Sequence, residues 1–148
     1  MRPILLALST FRYSEEAVYL AMERAGQGHP FVVVYVVDVN LARYFIGTDI
    51  GLYPEIRERC EEDLLKEHRN VAEARVSAIV EKAGARGIDA KTHIAVGRFA
   101  LECLLVVEAD RPGLIVTRRS NRPGWVRRLF GSPVDYLIKH AGCPVVEA

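Results

Sequence analysis

The chain has 148 residues, half of them hydrophobic and about a quarter charged, which is the size and composition of one globular domain with a real core. Its formal net charge of +1 offers no global argument for nucleic acid or a membrane surface as partner. No apolar run is long enough to span a bilayer, and the short apolar stretch behind Met1 is followed by charge rather than a cleavage site, so a cytoplasmic location is expected.

Ile4-Leu5-Leu6-Ala7-Leu8 is a continuous apolar run ending in Ser9-Thr10, the pattern of a strand buried on both faces of a parallel sheet. Ser14 reads as an N-cap, with Glu15 and Glu16 in the first turn, where acid suits the helix dipole. Val18, Ala21, Met22 and Ala25 then form one apolar stripe, and Gly26 and Gly28 end that helix. A second buried strand, β-branched and aromatic, runs from Phe31 to Val37 and closes on Asp38. Residues 40–53 are long and apolar for a loop. Two readings stay open there: packing over the sheet end or a short helical turn, and a lid or partner surface.

Pro54 suits the first position of a long helix. Its early part, residues 55–70, carries both charge signs as a solvated face, and apolar periodicity resumes at Ala72, Val76, Ile79, Val80 and Ala83. Gly84 and Gly87 end it. Residues 90–96 alternate as a third strand, with Thr92, Ile94 and Val96 on one side. Gly97 turns into a helix with Leu101, Leu104, Leu105 and Glu108 at helical spacing, broken at Asp110-Arg111-Pro112-Gly113. Leu114 to Thr117 is the fourth strand. Ser132 reads as the N-cap of a last helix, with Pro133 at its first position, Asp135 in its first turn, and Val134, Leu137, Ile138 and Ala141 as its buried stripe. Val145-Val146 forms a closing strand entered through Pro144, which costs no ladder bond there.

Strand and helix alternate, five strands with four helices. That predicts an α/β three-layer sandwich on a parallel sheet, one domain over residues 1–148. Such sheets bind ligands at the carboxyl ends of their strands, here Ser9, the end of the second strand from Val36 to Asp38, Gly97, and the loop from Arg118 to Ser132. Gly131-Ser132 opens a helix whose free N–H groups suit a phosphate, or else simply makes the turn and the cap. Arg118, Arg119, Arg122, Arg127, Arg128 and Lys139 form a local basic cluster around Trp125, read either as an anion site or as a solvated loop. One short cluster on a near-neutral chain argues against nucleic acid as partner. Cys60, Cys103 and Cys143 lie far apart with no Cys-x-x-Cys pair, and the four histidines lack ligand spacing, so no metal site is expected.

The closing segment, Gly131-Ser132-Pro133-Val134 through His140-Ala141-Gly142-Cys143-Pro144-Val145, resembles that of the universal stress protein family. The first strand and turn, Val32 to Asp38, and Val96-Gly97 with the helix after them match the same family in order and spacing. The resemblance implies a Rossmann-like fold of the adenine nucleotide alpha hydrolase-like type, with strand order 3-2-1-4-5. It also implies a homodimer pairing through the last strand, Val145 and Val146, where an exposed edge invites a partner.

Nucleotide-binding members carry Gly-x-x-Gly, nine residues, then Gly followed by Ser or Thr. Here the two earlier glycines fall on Arg118 and Asn121, and Ser9 stands where the family has an acidic residue. Asn121 tolerates a left-handed backbone, but Arg118 puts a long side chain where phosphate or ribose would lie. The implied nucleotide site, Ser9, Val36, Arg118, Asn121, Gly131 and Ser132, is therefore degenerate, with Arg119, Arg122 and Arg127 as further anion-binding candidates. Two functions compete. One is a dimeric stress-response protein that acts by binding an unidentified protein partner. The other is an ATP or AMP switch, with magnesium, in which Arg118, Arg119 and the Gly131-Ser132 turn hold the phosphates. An enzyme is not expected beyond weak ATP hydrolysis: the loops of adenylyl-transferring relatives are absent, and no catalytic constellation follows from spacing.

Overall fold

A computed structural model describes residues 1–38, 54–118 and 133–148, with backbone alone for residues 54–61 and 133. Residues 40–53, Arg119, Asn121, Arg122, Arg127, Gly131 and Ser132, and the side chain of Cys60, lie outside the described residues.

Strand β1 (Ile4–Ser9) feeds α1 (Glu15–Ala25), β2 (Phe31–Asp38), α2 (Pro54–Ala85), β3 (Ala90–Gly97), α3 (Phe99–Asp110), β4 (Leu114–Thr117), α4 (Pro133–His140) and β5 (Val145–Glu147). The five strands make one sheet of order β3-β2-β1-β4-β5, every pairing parallel. Registers run Ile4 opposite Phe31 and Leu114, Phe31 opposite Ala90, and Ile115 opposite Val145. This is the expected three-layer Rossmann-like sandwich with strand order 3-2-1-4-5.

Alternation along each strand splits the core between two layers. Leu6, Leu8, Val33, Tyr35 and Val37 pack with Val18, Met22, Val76 and Ile79, so α1 and α2 cover one face. Leu5, Ala7, Val32, Val34 and Val36 pack with Phe99, Cys103, Val106, Val134 and Leu137, so α3 and α4 cover the other. Every residue of β1 and β2 is buried, which is why both read as unbroken apolar runs.

Local signals hold where the sequence placed them. Ser14 Oγ accepts from the Ala17 N–H at 3.3 Å, the N-cap of α1. Gly28, not Gly26, takes the left-handed backbone after α1, with φ +100°, while Gly26 stays right-handed. At the end of α3, Arg111 adopts φ +48° and its N–H bonds the Val107 carbonyl, a left-handed cap without glycine.

In three elements the apolar positions are not all buried, and in α4 this departs from the expected buried stripe. Helix α3 buries Phe99, Ala100, Cys103 and Val106 and leaves Leu101 and Leu105 exposed, because it is apolar nearly all round and its spacing favours no one stripe. In α4, Val134 and Leu137 are buried but Ile138 is about half exposed. On β3, Val96 packs in the core, whereas Thr92 and Ile94 are exposed, since β3 is an edge strand and α2 covers only part of its face.

Asp110, at the end of α3, accepts from Lys91 Nζ of β3 at 2.8 Å, and His93 Nε2 lies 3.3 Å from its other oxygen. The Lys91 bond holds the Asp110 carboxyl below its usual range, against the upward pull of burial. A depressed carboxyl stabilises the fold above its unfolded pKa and loses that contribution as pH falls through the folded value.

Leu6→Ala should cost about 3 kcal/mol, a cavity under α1 in a fully buried strand, measured by urea unfolding. Asp110→Asn should lower stability at pH 7 by under about 1 kcal/mol, because the Lys91 partner is exposed. The same variant should show a shallower loss of stability below about pH 4, which acid titration followed by circular dichroism would read.

Candidate functional site

The strand order reverses between β1 and β4: β1 continues through α1 to β2 on one side, while β4 lies on the other. The crevice above their carboxyl ends is where a sheet of this kind takes its ligand. One short turn forms its near wall. Ser9 and Arg12 exchange backbone hydrogen bonds, Ser9 N–H to the Arg12 carbonyl at 3.2 Å and Arg12 N–H to the Ser9 carbonyl at 3.1 Å. Tyr13 follows, and Ser14 caps α1.

Three arginines attach to this turn. From the α2 side, Arg75 Nη1 donates to the Tyr35 hydroxyl at 2.8 Å and to the Thr10 carbonyl at 3.3 Å, and its guanidinium lies 4.4 Å from the centre of the Tyr13 ring. From within the turn, Arg12 is almost wholly buried, its guanidinium 5.2 Å from the centre of the Phe99 ring. It donates to the Arg118 carbonyl at 3.3 Å. From the β4 side, Arg118 Nη1 donates to the Tyr13 carbonyl at 2.6 Å. Arg12 and Arg118 thus cross the crevice in opposite directions, each capping a carbonyl of the other's loop or its neighbour.

The far side of Tyr13 extends this network. Its hydroxyl donates to Glu15 Oε1 at 2.9 Å, and Lys82 Nζ meets Glu15 Oε2 at 3.1 Å. Burial first, then the carboxylate of Glu15, raises the Tyr13 hydroxyl to about 12, so it stays a donor at neutral pH. The bond from Lys82, then the one from Tyr13, holds Glu15 below the usual carboxylate range.

Of the residues singled out from sequence, Ser9 ends β1 with its side chain buried, next to the turn. Val36 is wholly buried and stands in register with Ser9 and Ala95, inside the ladder, while Asp38 is the β2 residue at the rim, opposite Gly97. Arg118 faces the crevice. The structure thus brings Ser9 and Arg118 to the same crevice. A Cβ at position 97 would meet Glu102 Oε1 at 2.5 Å, the end of a flexible side chain that can move aside.

Arg12, Tyr13 and Arg75 belong to the crevice wall but were not anticipated. Arg12 follows directly on a small-polar turn and an aromatic residue, and that one charge beside the strand end was the available signal. Arg75 gave none, since nothing near it in the chain marks the contacts it makes with Thr10 and Tyr35. Cys103 lies beneath Arg12, and burial pushes its thiol far up despite the nearby guanidinium, so it is no nucleophile. Among the described residues the crevice offers guanidinium donors, backbone, a serine and, at its rim, the carboxylate of Asp38, and the guanidinium donors suit an anion.

The model of the universal stress protein family matches residues 1–146. A universal stress protein of Methanocaldococcus jannaschii, MJ0531, is 31% identical over 113 residues, which are 76% of this chain and 61% of that relative, so the match spans about three fifths of its length. The structure of the universal stress protein UspA from Lactobacillus plantarum superposes with a TM-score of 0.70, at 19% identity, over 99% of this chain and 98% of that one. A universal stress protein family protein from Arabidopsis thaliana, solved with AMP bound, superposes with a TM-score of 0.58, at 17% identity, over 99% of this chain and 90% of that one. The alternating strands, the sheet order and the crevice at its reversal agree with that match along the whole chain, which belongs to the universal stress protein family.

Proposed function

We propose that the chain is a cytoplasmic stress-response protein that acts as a homodimer by binding a protein partner, and that its adenine-nucleotide site is degenerate. It is not an enzyme in this reading. The observation that carries it is the bond from Arg118 Nη1 to the Tyr13 carbonyl, which spans the crevice where the phosphates or ribose of a bound nucleotide would lie. A glycine at that position would leave the crevice open and let the backbone approach a phosphate.

The AMP seen in the Arabidopsis relative supports a second reading for this chain, an ATP or AMP switch, with magnesium at the phosphates. In it, Arg118 and Arg119 supply side-chain donors in place of the family's glycine backbone, together with the Gly131-Ser132 turn. Among the described residues, no helix is long and apolar enough to cross a membrane.

β5 supports the proposed dimer. It lies at the sheet edge, and its Val145 and Val146 are half-buried rather than covered.

The triple variant Ser9→Asp, Arg118→Gly, Asn121→Gly should bind ATP at least about tenfold more tightly than the unaltered chain in calorimetric titration, because an open crevice with backbone donors replaces a bridged one. Unchanged affinity would count against the blocked-site account. Deleting residues 145–148 should convert the dimer to monomer in sedimentation equilibrium, and a persistent dimer would move the interface away from β5.

A further inference from the structure

Arg118 does more than fill space. A static plug would sit in the crevice with its charge satisfied by whatever lay there. Instead the guanidinium ends on one neutral backbone carbonyl, that of Tyr13, at 2.6 Å. Its own carbonyl receives Arg12 Nη1 at 3.3 Å. The turn after β1 and the end of β4 are therefore fastened by two bonds of opposite direction, both from charged donors to neutral acceptors. The β1 side of this fastening is rigid, because Arg75 holds the Thr10 carbonyl and stacks on Tyr13 while Ser14 caps α1. The β4 side ends in a single flexible side chain that is only half-buried.

A guanidinium bonded to a neutral carbonyl is in its weaker mode. A phosphate offers a full charge and two oxygens in the geometry that the planar fork matches, and such pairs are shorter and stronger. A ligand that carries phosphate can therefore draw Arg118 off Tyr13, whereas one without phosphate has nothing to offer in exchange.

We propose that Arg118 is a phosphate-released latch: bonded to the Tyr13 carbonyl it keeps the β1–β4 crevice closed, and it opens by transferring its guanidinium to the phosphate of an incoming adenine nucleotide. The inference rests on the second reading above, in which an adenine nucleotide enters this crevice, and not on the blocked-site reading. It adds that Arg118 sets the preference for nucleotide over nucleoside, acting once as a barrier and once as a ligand. A bond from a charged donor shifts such an opening equilibrium by about a factor of ten, and apparent affinity falls in proportion to the closed fraction.

The test is calorimetric titration of the whole protein with AMP and with adenosine, for the unaltered chain, Arg118→Ala and Arg118→Gln. The unaltered chain should prefer AMP over adenosine by about tenfold or more. Arg118→Ala should bind adenosine several-fold more tightly, gain nothing for AMP, and so lose most of that preference. Arg118→Gln carries no charge and ends two bonds short of the Nη1 that meets the Tyr13 carbonyl, so it should behave as Arg118→Ala does, tighter for adenosine with no gain for AMP. If Arg118→Ala tightens both ligands equally, Arg118 is a passive plug and the latch is overturned. If it weakens AMP and leaves adenosine unchanged, Arg118 is only a phosphate ligand and the latch is again overturned. If no form binds either compound, the nucleotide reading itself fails and the latch falls with it, a result distinct from the other two because they require binding.

Discussion

The structure depends on one strand being buried on every side. β1 is paired along both edges, to β2 and to β4, and covered on both faces by helices. Its six residues have no contact with water to speak of, so neither its register nor its end point can drift without exposing apolar surface or breaking two ladders. The turn that leaves β1 is therefore fixed at its root. Everything that reaches that turn, from α2, from α3 and from β4, meets a target that does not move.

That fixity explains why long, flexible arginines can build a defined site. The turn presents carbonyls at Thr10 and Tyr13 that no ladder satisfies, and a buried carbonyl without a partner is costly. Arg75 and Arg118 supply the partners from opposite sides. Arg12, buried beside Phe99, reaches across to the β4 side. A buried guanidinium needs hydrogen bonds and finds them on these backbone oxygens, so the electrostatics of the crevice and the packing of the turn are one arrangement. This chain brings side-chain cations to its own carbonyls, and the result is a contact between loops.

Much of the fold was legible because each strand and helix carries its own period. Fully buried strands read as unbroken apolar runs, and Ser14 announced its helix by a cap and two acids. Of the expected site residues, Ser9 and Arg118 were singled out from the sequence and both stand at the strand ends where β1 and β4 leave the sheet. Arg12 and Arg75 were hidden because their roles come from neighbours distant in sequence: Arg75 meets Thr10 across 65 positions, and Arg12 meets the Arg118 carbonyl across 106. The faces of α3 were hidden for another reason. A helix that is apolar nearly all round buries whichever side the sheet presents to it, and so Leu101 and Leu105 ended outside while Cys103 and Val106 ended inside.

Periodicity, capping residues and turn chemistry act within a few residues of each other, so the sequence alone determined which segments are strands and helices, where most of them stop, and that they alternate into a parallel sheet. It also placed an arginine, Arg118, directly after the fourth strand. Only the tertiary structure decided where that arginine ends, because its acceptor is set by the packing of β1 against β4 and by the turn that α2 holds in place. The energy of a charged group depends on what faces it in space, and nothing local in the chain encodes that.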